Sequence, residues 1–200
     1  MAYTHVAVSV TIHRDLPPEE LRFHWKSGRL CLDFVATVGE RWRRCFERLL
    51  AEEDLARWMA ETGMVQTAPA VSSSQLATGR VLREAINRLA RPGLDPESDD
   101  RDTLNRWAAR ASFAPQLTTE GKLAWVAARP VEAMFAAIAR DAVDLLTGPL
   151  ATRIRECSAP DCALLFVDAS RPGRRRWCST EACGNRTRTK AYRQRRKDRV

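Results

Sequence analysis

The chain lacks the features that would place it among membrane proteins or the common enzyme classes. No apolar run reaches the ~18 residues that a membrane-spanning helix requires. The opening MAYTHVAVSVTIHRDL has no basic start followed by a sustained apolar stretch, so no secretory leader is expected. Histidine is scarce: His5, His13 and His24 are the three in 200 residues, and their irregular spacing fits no metal or general-base motif. There is no glycine-rich phosphate loop, no nucleophile with a spaced base and no internal repeat. These absences argue against catalysis and make the cytoplasm the default location. Acidic residues are nearly missing from the last thirty positions, where twelve Arg or Lys face only Glu181 and Asp198. The other 170 residues hold 21 basic and 23 acidic groups, so this block carries the whole excess behind the net charge of +8. A segregated basic block faces a polyanion, either nucleic acid or an anionic surface.

What is present suffices for one main domain and a small appendage. Hydrophobic residues make up 44% of the chain, enough for a real core. Leu30 to Val38 is apolar and partly β-branched, and periodicity alone does not separate a strand from a buried helix start. AEEDLARWMAETG reads as a helix with Leu55, Trp58 and Met59 on one face and Gly63 as its stop. After the loop TAPAVSSS, Ser72 to Ser74 can cap a second helix bearing Leu76, Val81, Leu82, Ile86 and Leu89, which ends before Pro92-Gly93. A short helix over 100–111 turns Leu104, Trp107 and Ala108 inward. Residues 115–129 predict a hairpin around Glu120-Gly121. Pro130 then opens a helix to about Thr147, whose Met134, Phe135, Ile138, Val143, Leu145 and Leu146 form a broad apolar face. The link over Gly148 to Glu156 is short, which places the two parts close together.

Four of the six cysteines follow the pattern C-x4-C-x15-C-x4-C: Cys157, Cys162, Cys178 and Cys183. Two loops, each supplying two thiolates, make the two edges of a tetrahedron, which is the donor set of a structural zinc ion. With four thiolates no position remains open for a water, so a catalytic zinc is disfavoured. An iron–sulfur cluster and a pair of disulfides are the competing readings, and the clustered spacing favours a metal over disulfides. Cys31 and Cys45 lie in apolar or helical contexts and read as buried small hydrophobes. ALLFVDASRPGRRRW, between the cysteine pairs, is expected to form two short strands around Ser-Arg-Pro-Gly. A module of this size folds on its metal, so Cys178→Ser is expected to unfold residues 157–197 and leave the rest folded. After Cys183 the chain has helical composition, with Arg186, Lys190, Arg193 and Lys197 on one face. Arg188, Arg195 and Arg196 spread charge round the helix, and Arg174, Arg175 and Arg176 form a second cluster. These ten residues are the candidate nucleic-acid contacts, with Asn185 and Gln194 as the candidates for base readout.

FVDASRPGRRRWCSTEACGNRTRTKAYRQRRK resembles the CGNR zinc finger, whose namesake residues are Cys183-Gly184-Asn185-Arg186 here. GRLCLDFVATV, EDLARWMAETG, VLREAI and ARDAVDLL resemble the ABATE domain that precedes this finger in a bacterial family regarded as stress-related transcription regulators. The chain departs from the family at Ala36-Thr37, where Asn-Thr is frequent, and at Thr180, where Met is frequent. Neither change touches a zinc ligand. The fold expected is α+β, mainly α: a helical domain over 1–150 with a small β-hairpin, then a treble-clef-like finger (knuckle, hairpin, basic helix) over 151–200. The function expected is zinc-dependent nucleic-acid binding, DNA before RNA, in transcription regulation. The first domain would sense a signal or form a homodimer. The alternative is a protein-interaction module whose finger meets an acidic protein. No membrane partner is expected, and a small ligand of the first domain is left unassigned.

Overall fold

A computed structural model describes residues 16–197. The expectations about the leader, His5 and His13, like the side chain of Lys197 and the charge of Asp198, lie outside the described residues. The described residues are mainly helical, with three two-stranded antiparallel pairs among them.

The ambiguous segment after Gly28 resolves as a short helix, α1 (Leu30–Val35), followed by a two-residue strand, β1 (Val38–Gly39), paired with β2 (Phe46–Glu47). The N-cap residue of α1 offers no side-chain cap. Asp141, more than a hundred residues away, caps the helix in its place. Its carboxylate accepts from the Cys31 N–H at 2.8 Å and from Arg29 Nε at 2.8 Å. An anion at a helix start satisfies orphan donors and the macrodipole together.

Helix α2 (Glu52–Glu61) buries Leu55, Ala56, Trp58 and Met59. Its first turn is closed by the Asp54 carboxylate, which accepts from the N–H groups of Leu50 and Ala51, both at 3.0 Å. It stops at Gly63, whose φ of +74° suits glycine. Helix α3 (Ser73–Ala90) opens with a reciprocal cap, in which Ser72 Oγ accepts from the Gln75 N–H and Gln75 Oε1 accepts from the Ser72 N–H. Val81, expected on its apolar face, is instead 58% exposed. The buried stripe runs through Leu76, Gly79, Leu82, Ala85 and Ile86. Helix α4 (Asp100–Ala108) buries Leu104, while Trp107 meets Phe135 edge-on at 5.1 Å.

Strands β3 (Ala114–Leu117) and β4 (Leu123–Val126) form the expected hairpin, with Leu117 opposite Leu123 and Pro115 opposite Trp125. It stands in solvent, and Leu117 and Leu123 are 80% and 64% exposed. Helix α5 (Pro130–Thr147) is the centre of the fold. Its nine buried residues include Phe135 and Ile138 but also Ala133, Ala136, Ala139 and Ala142, which let neighbouring helices approach closely. Val143 and Leu146, expected within, are only half-buried. Gly79 of α3 shows the closeness from the other side, since a Cβ there would lie 3.0 Å from the Phe135 ring.

After a 3-10 turn (Ala151–Arg153) comes β5 (Ile154–Glu156), which pairs with β6 (Leu165–Val167). This corrects the hairpin expected between the cysteine pairs. Only its first arm is a strand, and that strand pairs backward with a segment preceding Cys157. The reason is Asp168, fully buried where the turn begins. Its carboxylate accepts from the Ser170 N–H and hydroxyl and from the Arg175 N–H, so the backbone of the second arm bonds to a side chain instead of to β6. Ile154, Leu165 and Val167 pack into the same core as α1, α3 and α5, so there is no break in apolar packing at residue 150. Last comes α6 (Asn185–Lys197), entered through a wide turn over Thr180–Gly184.

Candidate metal centre and basic helix

The four cysteines converge from two places in the chain. Cys157 follows β5, and its N–H donates to the Leu164 carbonyl at 2.9 Å, closing the first knuckle around Cys162. Ala163 takes a left-handed φ of +60° to make that closure. Cys178 and Cys183 flank the turn that opens α6, where Ser179 Oγ accepts from the Ala182 N–H at 3.1 Å. The Ser158 N–H donates to the Arg176 carbonyl at 2.8 Å and ties one knuckle to the other. All four Sγ atoms lie within 4.8 Å of one another. The Cys162–Cys178 and Cys178–Cys183 separations are 3.7 and 3.6 Å. A tetrahedral site with metal–sulfur bonds of ~2.3 Å has edges of ~3.8 Å. The sulfur positions therefore fit one zinc ion with little rearrangement.

The surroundings suit thiolates. The Cys178 N–H points at Cys157 Sγ at 3.4 Å, and the Arg186 guanidinium lies 3.5 Å from Cys183 Sγ. Hydrogen bonds from Cys162, then Cys178 and Cys183, hold the Cys157 thiol far below its ordinary value. Cys162, hydrogen-bonded within the same sulfur cluster, is pushed up. Cys31 and Cys45 are buried and stand apart from this group. Burial pushes both of their thiols up, in keeping with a packing role. Gly184 is held by space: a Cβ would lie 3.2 Å from the Arg188 guanidinium and 3.3 Å from the Trp177 ring.

The basic residues fall into two groups. Arg175 is half-buried and committed inside the finger: it lies over the Phe166 ring at 4.7 Å and donates to the carbonyls of Trp177 and Cys178. Arg186 pairs with Asp161 at 2.9 Å as well as reaching Cys183. Arg176 and Arg188 lie over the Trp177 ring at 5.2 and 5.4 Å, with both side chains still exposed. Arg174, Lys190, Arg193, Arg195 and Arg196 are exposed and form no ion pair among the described residues. From Lys190 to Arg196, α6 is exposed on every side, Tyr192 included.

Sequence reasoning misses the residues that join this centre to the helices. Arg91, at the end of α3, donates to the Ala163 carbonyl at 3.0 Å and pairs with Glu156 at 2.8 Å. The Val167 N–H donates to the Ser27 carbonyl at 2.8 Å. A cavity of about 290 Å³ runs along this seam, walled on one side by Arg41, Phe46 and Arg48 and on the other by Cys162, Leu164 and Cys183. A single arginine at a helix end carries no sequence signal of such a role.

Residues 28–149 match the family described as "ABATE: Putative stress-induced transcription regulator", and residues 153–196 match the CGNR zinc finger. The comparison with curated proteins finds no match. Neither family is an enzyme family, and among the described residues no helix is long and apolar enough to cross a membrane.

Proposed function

We propose that this chain, which belongs to the ABATE family and carries the CGNR zinc finger, is a transcription regulator that binds nucleic acid through α6, with duplex DNA as the target. The observation that carries this reading is the exposure of α6. Lys190, Arg193, Arg195 and Arg196 project from a stretch of helix that is exposed throughout among the described residues, and its first turn follows Cys183. Charge presented from an anchored helix costs less ordering on binding than a loose basic tail. Arginine dominates the set, and its planar fork suits phosphate oxygens and guanine edges. Most contacts fall on phosphate, because neutral base-reading side chains are few: Gln194, and Asn185 at the start of the helix. Arg174, Arg176 and Arg188 flank the helix and extend the basic surface. Arg175 and Arg186 contribute chiefly by holding the finger in shape.

In this reading the helical half is the sensing or dimerising part. The apolar hairpin face of Pro115, Leu117, Leu123 and Trp125 is its surface for a second copy of the chain. Replacing Lys190, Arg193 and Arg196 by Ala should weaken binding to all sequences alike. It should also flatten the plot of log K against log salt by about 0.9 for each phosphate that is no longer neutralised. Anisotropy titrations of wild type and the triple variant at several salt concentrations measure both effects. An acidic protein partner, the alternative, is favoured instead if neither duplex nor single strands bind at low salt.

A further inference from the structure

Arg48, which follows β2, is only 4% exposed. Among the described residues no carboxylate lies within the 4.0 Å of an ion pair. Its Nε donates to the Glu20 carbonyl at 2.8 Å, one terminal nitrogen to the Ala36 carbonyl at 3.0 Å, and the other lies 3.3 Å from Nε2 of His24. The guanidinium rests on the Phe46 ring at 4.6 Å. His24 brings no opposing charge: burial first, then Arg48 and Lys26, push its pKa down to about 4. A buried cation held only by neutral groups is costly.

Every other arginine on the wall of the seam cavity has a carboxylate partner: Arg41 has Glu84, Arg44 has Glu40, Arg91 has Glu156 and Arg186 has Asp161. Lys26 is exposed to water. Arg48 lines the same cavity as Cys162, Cys178 and Cys183 and has no such carboxylate partner there among the described residues. Burial lowers its pKa to about 10.

A zinc ion with four thiolates carries a net charge of about −2. Among the described residues of the finger the one cation in hydrogen-bond reach of a sulfur is Arg186, and its charge is shared with Asp161. We propose that Arg48 is the missing counter-cation of the metal–thiolate centre, a positioning residue supplied by the helical half across the seam. Metal affinity is then set in part by a residue more than a hundred positions from the nearest ligand. Loss of the metal removes the charge that justifies burying Arg48, so the seam between the two halves opens with it.

The test uses the full-length zinc-loaded protein. Competition against a chelator should show Arg48→Met binding zinc ten- to a hundredfold more weakly, the range for outer groups that tune a metal site. Arg48→Lys, which keeps the charge, should stay within about threefold of wild type, and Arg43→Ala, an exposed neighbour, should match it. In cadmium-substituted protein the cadmium-113 resonance should move in Arg48→Met and not in Arg43→Ala. Unchanged affinity in Arg48→Met, or equal losses in the Met and Lys variants, would overturn the proposal. If Arg48→Met does not fold, hydrogen exchange of wild type decides. Removing zinc should strip protection from the Arg48 N–H, which donates to the Thr37 carbonyl at 3.0 Å, while the amides of α5 keep theirs. Protection of Arg48 retained without zinc would sink the idea.

Discussion

Arginine has structural roles in this protein that its composition conceals. Arg83 is 1% exposed and meets Glu47, 2% exposed, through two bonds of 2.7 Å, with Thr37 Oγ1 accepting a third at 3.0 Å. Glu47 also accepts from the N–H groups of Arg48 and Leu49, so one carboxylate fixes a helix, a strand and a loop. Arg83→Met should cost about 3–5 kcal/mol by stranding that carboxylate, measurable by urea unfolding. The paired change Arg83→Met with Glu47→Leu should recover most of the loss. His24 gives a pH test. Its folded pKa of about 4 lies below the unfolded 6.5, so the unfolded chain binds the extra proton between those values. Stability is intact above pH 6.5 and falls as pH drops toward 4. Asp33, raised by burial to about 6, acts in the opposite direction over part of that window. His24→Gln should therefore be less acid-sensitive than wild type between pH 6.5 and 4, by up to about 3 kcal/mol. None of these pairs is legible in the sequence. Charged residues default to the surface, and partners 36 positions apart show no spacing rule. The four cysteines are legible because chelation demands local, regular spacing.

At the level of elements, what can be read depends on what stabilises each one. Helices α2, α3 and α5 carry local signals (a polar first turn, a cap, a proline or glycine at an end) together with a 3.6-residue apolar period, and they form as expected. Helix α5 reads as central from its large residues, while its packing rests as much on four alanines that periodicity scores weakly. Gly79→Leu in the facing helix should destabilise by about 1–3 kcal/mol through overpacking against Phe135, read as a lower midpoint in denaturant with an unchanged slope. Loss of the α3 cap in Ser72→Ala should cost about 1 kcal/mol. The second arm of the cysteine-linked hairpin is not a strand because its alternation is weak and the deciding partner, buried Asp168, lies within the same loop. Strand β6 finds its mate in β5, a segment that reads in the sequence only as a linker.

For the molecule as a whole, the two family matches meet near residue 150, but the packing does not divide there. Ile154, Leu165 and Val167 lie in the core of the helical half, and Ala36 from that half packs with Cys157, Phe166 and Cys178. The sequence expectation that Cys178→Ser unfolds only residues 157–197 is therefore revised. Stripping zinc, by that substitution or with a chelator, should also lower the thermal midpoint of the helical half, seen as one broadened transition in calorimetry with near-ultraviolet dichroism changing throughout. Separate transitions, with the first leaving the tryptophan signals of the core unchanged, would contradict the shared packing. The same shared core bears on heredity. A recombination event with its breakpoint at residue 150 would leave the helical half without three of its apolar plugs and the finger with three exposed ones. Each fragment would then be a poor partner for any unrelated sequence. Selection against such chimaeras would make the two halves travel through genomes as a linked pair, diverging together at the seam residues and independently elsewhere.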